Sequence, residues 1–361
     1  MLDSKTLFYI YPLIVFAAVV ALVPVAKFLA HKAGFLDAPG GRKRHEDAVP
    51  PIGGLVIFPV FMIITALTSA DPALIWFYAA LTVMVVIGAL DDRYTVPARI
   101  RFPLQFVAAF LIVVPGGAQA LNMGNLFGFG EFWLGIGAIP FSIIAAVLLI
   151  NAVNLMDGLD GLSAGMGCHI ILWMALCTFL GQDMAALLPL LIMAGALMGF
   201  LFYNMRAPWR KRASIFIGDA GSLALGLTLA WFAFTLSQKP HEVIAPVAVA
   251  WLLALPIFDT CGQFARRVSQ GRHPFDADHH HFHHHFIYAG FTPGQATATI
   301  LFIAFILAVI GVGGVYIGVP DYVLAYLWTA LLLGHIYMSM RPTRYRRVML
   351  RLRGKTQEPD A

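Results

Sequence analysis

Apolar residues run along this chain in blocks of roughly 18 or more, broken by short polar stretches. This is the pattern of successive membrane-spanning helices. The blocks predict eleven spans, near 7–30, 52–70, 74–90, 103–120, 132–150, 161–180, 185–203, 216–237, 243–261, 297–318 and 321–340. The first block is too long for a signal-peptide core and is flanked only by Lys5, so it reads as a retained span. The fourth is the most interrupted, by Pro103, Pro115, Gly116 and Gly117. The expected fold is an all-α polytopic integral membrane protein. Residues 1–340 are expected to form one transmembrane domain with a long cytoplasmic loop at 262–296, and 341–361 a basic cytoplasmic tail.

Composition removes the soluble alternative. Of 361 residues, 60% are hydrophobic and 12% charged, against ~25% charged in an ordinary soluble domain. Every Lys and Arg except Lys5 and Lys239 falls after an odd-numbered span or at its end, which places the N-terminus outside and the C-terminus in the cytoplasm. Membrane orientation thus accounts for the basic residues, and no nucleic-acid partner is expected. The tail "RPTRYRRVMLRLRGK" mixes Arg with apolar residues and is expected on anionic membrane lipid. Cys168, Cys177 and Cys261 fall in or beside spans and read as packing residues.

The acids are sorted as strictly as the bases. Asp91, Asp92, Asp157, Asp160, Asp219, Asp259, Asp276 and Asp278 all map to cytoplasmic span ends or inner loops, so the active site is expected at that face. A transporter would be expected to carry ionisable groups near the midplane as well, where these spans are clean.

Five stretches concentrate the chemistry. "INAVNLMDGLDGLSAG" sets Asn151, Asn154, Asp157 and Asp160 at steps of three after span five. At ~100° per residue a straight helix would put Asn151 and Asp160 on opposite sides, so Gly158 and Gly161 are expected to break the helix and turn the chain over a ligand. A capped helix end, with Asp160 as N-cap, is the plainer alternative; an EF-hand is excluded, because the loop has no terminal Glu. "GALDDRYTVPARIRF" sets Asp91 and Asp92 beside Arg93, Arg99 and Arg101, either a salt-bridge cluster or a metal or base site opposite a phosphate-binding arginine. "SIFIGDAGS" puts Asp219 between glycines at the start of span eight, where cation binding and a helix cap compete. "GRHPFDADHHHFHHHFIYAGF" holds six histidines within 279–285, read as phosphate-contacting imidazolium groups rather than a zinc site. "LDAPGGRKRHEDAVPPIGG" is a basic loop that could bind an anion or simply mark the inner side.

In this order, over about residues 37–294, these stretches resemble the polyprenyl-phosphate N-acetylhexosamine-1-phosphate transferases, specifically the bacterial undecaprenyl-phosphate GlcNAc-1-phosphate transferase branch. The resemblance implies transfer of HexNAc-1-phosphate, GlcNAc by default, from a UDP-sugar to undecaprenyl phosphate in the bacterial inner membrane. The products would be undecaprenyl-diphospho-HexNAc and UMP, starting a cell-envelope glycan such as an O-antigen lipopolysaccharide or an exopolysaccharide. It implies Mg²⁺, or Mn²⁺ in its place, held by Asn154 and Asp219, with Asp91 and Asp92 beside the incoming lipid phosphate. Phe216 would stack on uracil, Asp157 and Asp160 would shape the nucleotide pocket, and Arg101 would hold an anionic group. Lys43, Asn151, Arg266, His281, His283 and His284 complete the substrate contacts it implies, and a homodimer is compatible with it. The rival readings are a cation-coupled transporter with an inner-face acidic site, a CDP-alcohol-type transferase whose clustered Asp pattern is absent here, and a metal sensor resting on the histidines alone.

Overall fold

In the computed structural model, residues 4–37, 48–239, 241–273 and 280–353 are described. Among them the regular structure is helical, with only isolated backbone bridges and no strand. Fifteen helices follow in order: α1 (Ser4–Ala33), α2 (Gly53–Thr68), α3 (Leu74–Tyr94), α4 (Ala98–Val113), α5 (Ala138–Met156), α6 (Leu162–Leu180), α7 (Met184–Asn204), α8 (Gly218–Leu236), α9 (Pro246–Leu252), α10 (Ala254–Ser269), α11 (Phe282–Tyr288), α12 (Pro293–Ala308), α13 (Gly314–Tyr316), α14 (Asp321–Ser339) and α15 (Pro342–Leu352). A five-residue π segment, Val309–Gly313, joins α12 to α13.

Each of the eleven expected spans overlaps a helix, but eight described helical stretches are by themselves long and apolar enough to cross a membrane. The differences have local causes. α2 is apolar but 16 residues long. α4 is equally short and carries Arg99 and Arg101 in its first turn. The segment expected at 243–261 is two helices, α9 and α10, bent by 69° and counting as a ninth crossing only if taken together. α10 then runs on to Ser269, so the first part of the expected 262–296 loop is helix. Beyond the bend its buried face carries Asp259, Gln263, Arg266 and Arg267, which explains why the apolar block fades there.

α8 is the axis of the bundle. Nearly all its residues are buried, and α2, α3, α5 and α6 pack around it. Lipid tails offer no hydrophobic drive between helices, so close backbone approach at small residues must supply contact energy. A Cβ on Gly54 of α2 would lie 2.5 Å from the carbonyl carbon of Ala220; one on Gly88 of α3 would lie 2.5 Å from that of Asp219. Gly226 of α8 likewise admits Ile150 of α5, whose Cα would be 2.6 Å from an added Cβ. α2 and α3 are thereby drawn onto the first turn of α8, where Asp219 sits, and α5 onto the helix about two turns further along.

Candidate active site

The α5–α6 turn forms as its glycines predict. α5 stops at Met156, Asp157 follows, and Gly161 takes φ 77°, a left-handed backbone that a Cβ would strain. Asn204, at the end of α7, fastens the turn: its Oδ1 accepts from Gly161 N–H at 2.8 Å, and its Nδ2 donates to Ile215 O at 2.9 Å, just ahead of α8. One buried amide therefore locks "DGLDG" against the chain entering "FIGDAGS".

Asp219 then meets its neighbours. Asn154 Nδ2 donates to Asp219 Oδ1 at 2.7 Å and to Ser222 Oγ at 2.9 Å. Arg101 pairs closely with Asp91 and stands 3.5 Å from Asp219 Oδ2. Asp92 accepts the backbone N–H groups of Asp219 at 2.9 Å and Ala220 at 3.2 Å, so one member of the Asp pair caps α8. Asp92→Ala should cost about 0.5–2 kcal/mol of stability by losing this cap, read as a lower thermal midpoint in detergent; Asp92→Asn should lose less.

Asp91, Asp92, Arg101 and Asp219 line one cavity of about 380 Å³ together with Asp37, Pro51, Thr95 and Val96. Asp37 was missed from the sequence. Its backbone exchanges hydrogen bonds with Val49, at 3.0 and 3.2 Å, which fixes the base of the basic loop. Lys43 lies in that loop, outside the described residues.

Among the described residues Asp37, Asp91, Asp92 and Asp219 share this cavity with Arg101, a lining that suits a cation together with a pyrophosphate. Among the described residues no three acidic, His or Cys side chains form a metal cage of their own. Mg²⁺ commonly takes one or two carboxylates and completes its shell with phosphate oxygens and water. The Asp219 carboxylate, which already stands against the Arg101 cation, fits that demand; Asn154 presents its Nδ2 to Asp219 here and would offer its Oδ1 with the amide turned over.

The remaining predicted residues divide. Asp157 reaches solvent, but the protein packed around its carboxyl strips hydration from it. That desolvation, with the Asp219, Asp92 and Asp160 carboxylates, pushes it up to about 8. Asp160 is engaged by Arg206 Nε at 2.7 Å and the Ala213 N–H at 3.2 Å, so in this structure it braces a loop. Asn151 pairs reciprocally with buried Gln105 of α4, donating to its Oε1 at 2.6 Å. Asn151 also borders an apolar cavity of about 150 Å³, lined by Phe102, Phe106, Val147, Leu148 and Phe264 among others. Phe216 is half-buried beside Asp219, its backbone bonded to Pro50 O and Gly53 N.

The histidine segment is anchored by Asp259, to which sequence reasoning gave no partner. His281 Nδ1 lies 3.1 Å from Asp259 Oδ2, Phe282 N–H donates to Oδ1 at 2.9 Å, and Gln263 Nε2 donates to His280 O at 2.6 Å. His281 Nε2 faces Arg267 at 3.5 Å, so this ring bridges two buried groups. Arg266 is also buried and hydrogen-bonded to Gln263. His284 packs on His283, ring centroids 4.2 Å apart. His283 reaches the acidic turn, where only a glycine at 158 leaves room for its ring.

One expectation changes. Burial, with neighbouring histidines, lowers His283 to about 3 and His285 to about 4, so these rings are neutral at pH 7 rather than imidazolium. Their folded pKa lies below the unfolded value of ~6.5, so their stabilising contribution is complete above that pH and is lost as pH falls toward the folded values. Hydrogen exchange in residues 282–288, corrected for intrinsic rate, should rise between about pH 7.5 and about pH 5.5. The rise should shrink in His285→Phe.

Helix after apolar helix around one acidic cavity defines a multi-pass membrane protein of the kind that handles charged groups at a span's end. Residues 74–237 match the family model "Glycosyl transferase family 4". The chain is 31% identical to the undecaprenyl-phosphate alpha-N-acetylglucosaminyl 1-phosphate transferase of Yersinia pestis, over 94% of this chain and 93% of that protein. It is 32% identical to the protein of the same name from Escherichia coli (strain K12), over 91% and 90%. The Salmonella typhi protein is 30% identical over the same shares. The chain belongs to this family of membrane glycosyltransferases.

Proposed function

We propose that the protein transfers N-acetylhexosamine-1-phosphate, GlcNAc-1-phosphate by default, from a UDP-sugar to undecaprenyl phosphate. Undecaprenyl-diphospho-HexNAc and UMP would be the products. The single observation that carries this reading is the convergence of Asp91, Asp92, Arg101 and Asp219 on one cavity at helix ends, in a chain aligned almost end to end with relatives bearing that name. The reaction starts a cell-envelope glycan at the cytoplasmic face of the bacterial inner membrane, the side to which the Lys and Arg pattern assigns these helix ends.

In the proposed reaction an oxygen of the lipid phosphate attacks the sugar-linked phosphorus. The new P–O bond replaces the bond to the bridging oxygen, which departs with UMP. The lipid phosphate has a second pKa of about 6 and is largely ionised at neutral pH, so Asp91 has no proton it must remove. Asp91 instead aims Arg101, and Arg101 receives an anionic oxygen. Asp92 fixes the first turn of α8 and so the direction of Asp219. Mg²⁺ held by Asp219 and Asn154, or Mn²⁺ in its place, would neutralise charge on the pyrophosphate. Phe216 offers a ring to uracil, Asp157 borders the nucleotide, and His283 and His284 contribute from the histidine segment and Arg266 from α10. The apolar cavity beside Asn151 and Phe264 suits the first isoprene units of the lipid. Phosphoryl transfer depends mainly on alignment and electrostatics, which such a set of fixed groups provides.

Membranes containing the protein, supplied with Mg²⁺, undecaprenyl phosphate and a panel of UDP-sugars, should release UMP with a UDP-N-acetylhexosamine. Absence of UMP with every sugar would favour the transporter reading.

A further inference from the structure

The basic tail has a seat in the fold that its sequence did not reveal. α15 begins three residues after α14 ends, and its buried face, Tyr345, Met349 and Leu350, lies against the histidine-bearing α11. Tyr345 stacks on His285, with centroids 4.4 Å apart and planes 27° off parallel, and its hydroxyl lies 3.3 Å from His335 Nδ1 of α14. Arg353 donates to Ala289 O at 3.2 Å, immediately after α11, and Arg346 lies over the ring of Tyr288. α15 is therefore the outer wall of the segment that carries His283 to the acidic turn.

The opposite face is cationic. At ~100° per residue Arg344, Arg347 and Arg351 fall within an arc of about 60°, on the far side from Tyr345 and Met349. All three are exposed. This arc begins at the edge of a span: Arg341 and Arg344 both donate to the hydroxyl of Tyr337, which lies inside the last turn of α14. Tyr337 is 43% exposed and Met340 40%, so an apolar helix end with an aromatic ring lies directly under the arginines. Tyr at that level is the residue that seats a helix at the headgroup boundary.

We propose that Arg344, Arg347 and Arg351 form a docking surface for anionic phospholipid headgroups, and that this docking holds α15 down on α11 and so braces the histidine segment. The occupant is the bilayer surface itself. Three guanidiniums on one arc beside a span end match a layer of phosphodiester anions, and each basic residue near such a surface adds an attraction that salt screens. The lipid docking stands on geometry alone; its effect on turnover rests on the transferase reading.

Full-length protein in discs of phosphatidylcholine, with and without phosphatidylglycerol, tests it. Hydrogen exchange in residues 342–352 and 282–288 should slow together when phosphatidylglycerol is present. UMP release should rise several-fold, and both effects should fade at high salt. The triple variant R344Q/R347Q/R351Q should keep the turnover seen in phosphatidylcholine and lose both responses. Equal exchange in the two kinds of disc, or a triple variant that still responds, would overturn the proposal. If no disc supports UMP release, the transferase reading fails while the exchange data still decide the docking.

Discussion

Asp219→Ala is expected to lower transfer at least about 10³-fold, which is about 4 kcal/mol of transition-state stabilisation, while the protein inserts at normal levels. Asp219 receives Asn154, stands beside Arg101 and opens into the acidic cavity, so its loss removes the carboxylate at which the α4, α5 and α8 contributions meet. Insertion should survive, because α8 buries an almost wholly apolar surface behind it. Asp219→Asn separates charge from shape: it keeps the volume and removes the anion, and should be nearly as inactive. UMP release per milligram of membrane-inserted protein is the measurement, and near-normal rates in either variant would remove Asp219 from the metal site.

Gly88→Ala should lower turnover about 10²-fold or more without touching a reacting group, because displacements near 1 Å cost that much in aligned chemistry. The new methyl would sit 2.5 Å from the carbonyl carbon of Asp219, and that neighbour is backbone, which cannot rotate aside. α3 and α8 must separate, and Asp91 and Asp92, one turn further along α3, move with them. Overpacking of this kind also costs about 1–3 kcal/mol of stability, so the thermal midpoint should fall together with the rate. Gly334→Ala on α14 is the control, since nothing lies within 4 Å of a Cβ there. If both alanines behave alike, close helix approach is not what aligns the site.

Much of this was legible in the sequence because it is local. Apolar blocks report helices through length alone, and Gly158 with Gly161 report a turn because few other residues accept that backbone. Asp91 and Arg101 are ten residues apart on neighbouring helices joined by a short loop, so their pairing follows from the motif. The unreadable parts are non-local. Nothing in "GALDD" says that Gly88 faces the backbone of a helix some 130 residues later. Nor does "PIFDT" announce that Asp259 will hold His281, since the pairing exists only once α10 turns from α9 at a 69° bend and the chain returns 22 residues later. His283 and His285 looked like cations because sequence shows the number of histidines and not their burial; His283 is only 3% exposed. Asp160 and His281 were grouped with substrate contacts, and the structure finds both already engaged by protein partners.

The central claim is that carboxylates from separate helices hold a divalent cation against the pyrophosphate of the sugar nucleotide. Electron paramagnetic resonance of Mn²⁺ with full-length protein and UDP-GlcNAc tests it most directly. The account predicts a bound Mn²⁺ signal with ³¹P hyperfine coupling that requires both nucleotide and protein and disappears in Asp219→Ala. A protein-dependent, phosphorus-coupled signal unchanged in that variant would contradict it.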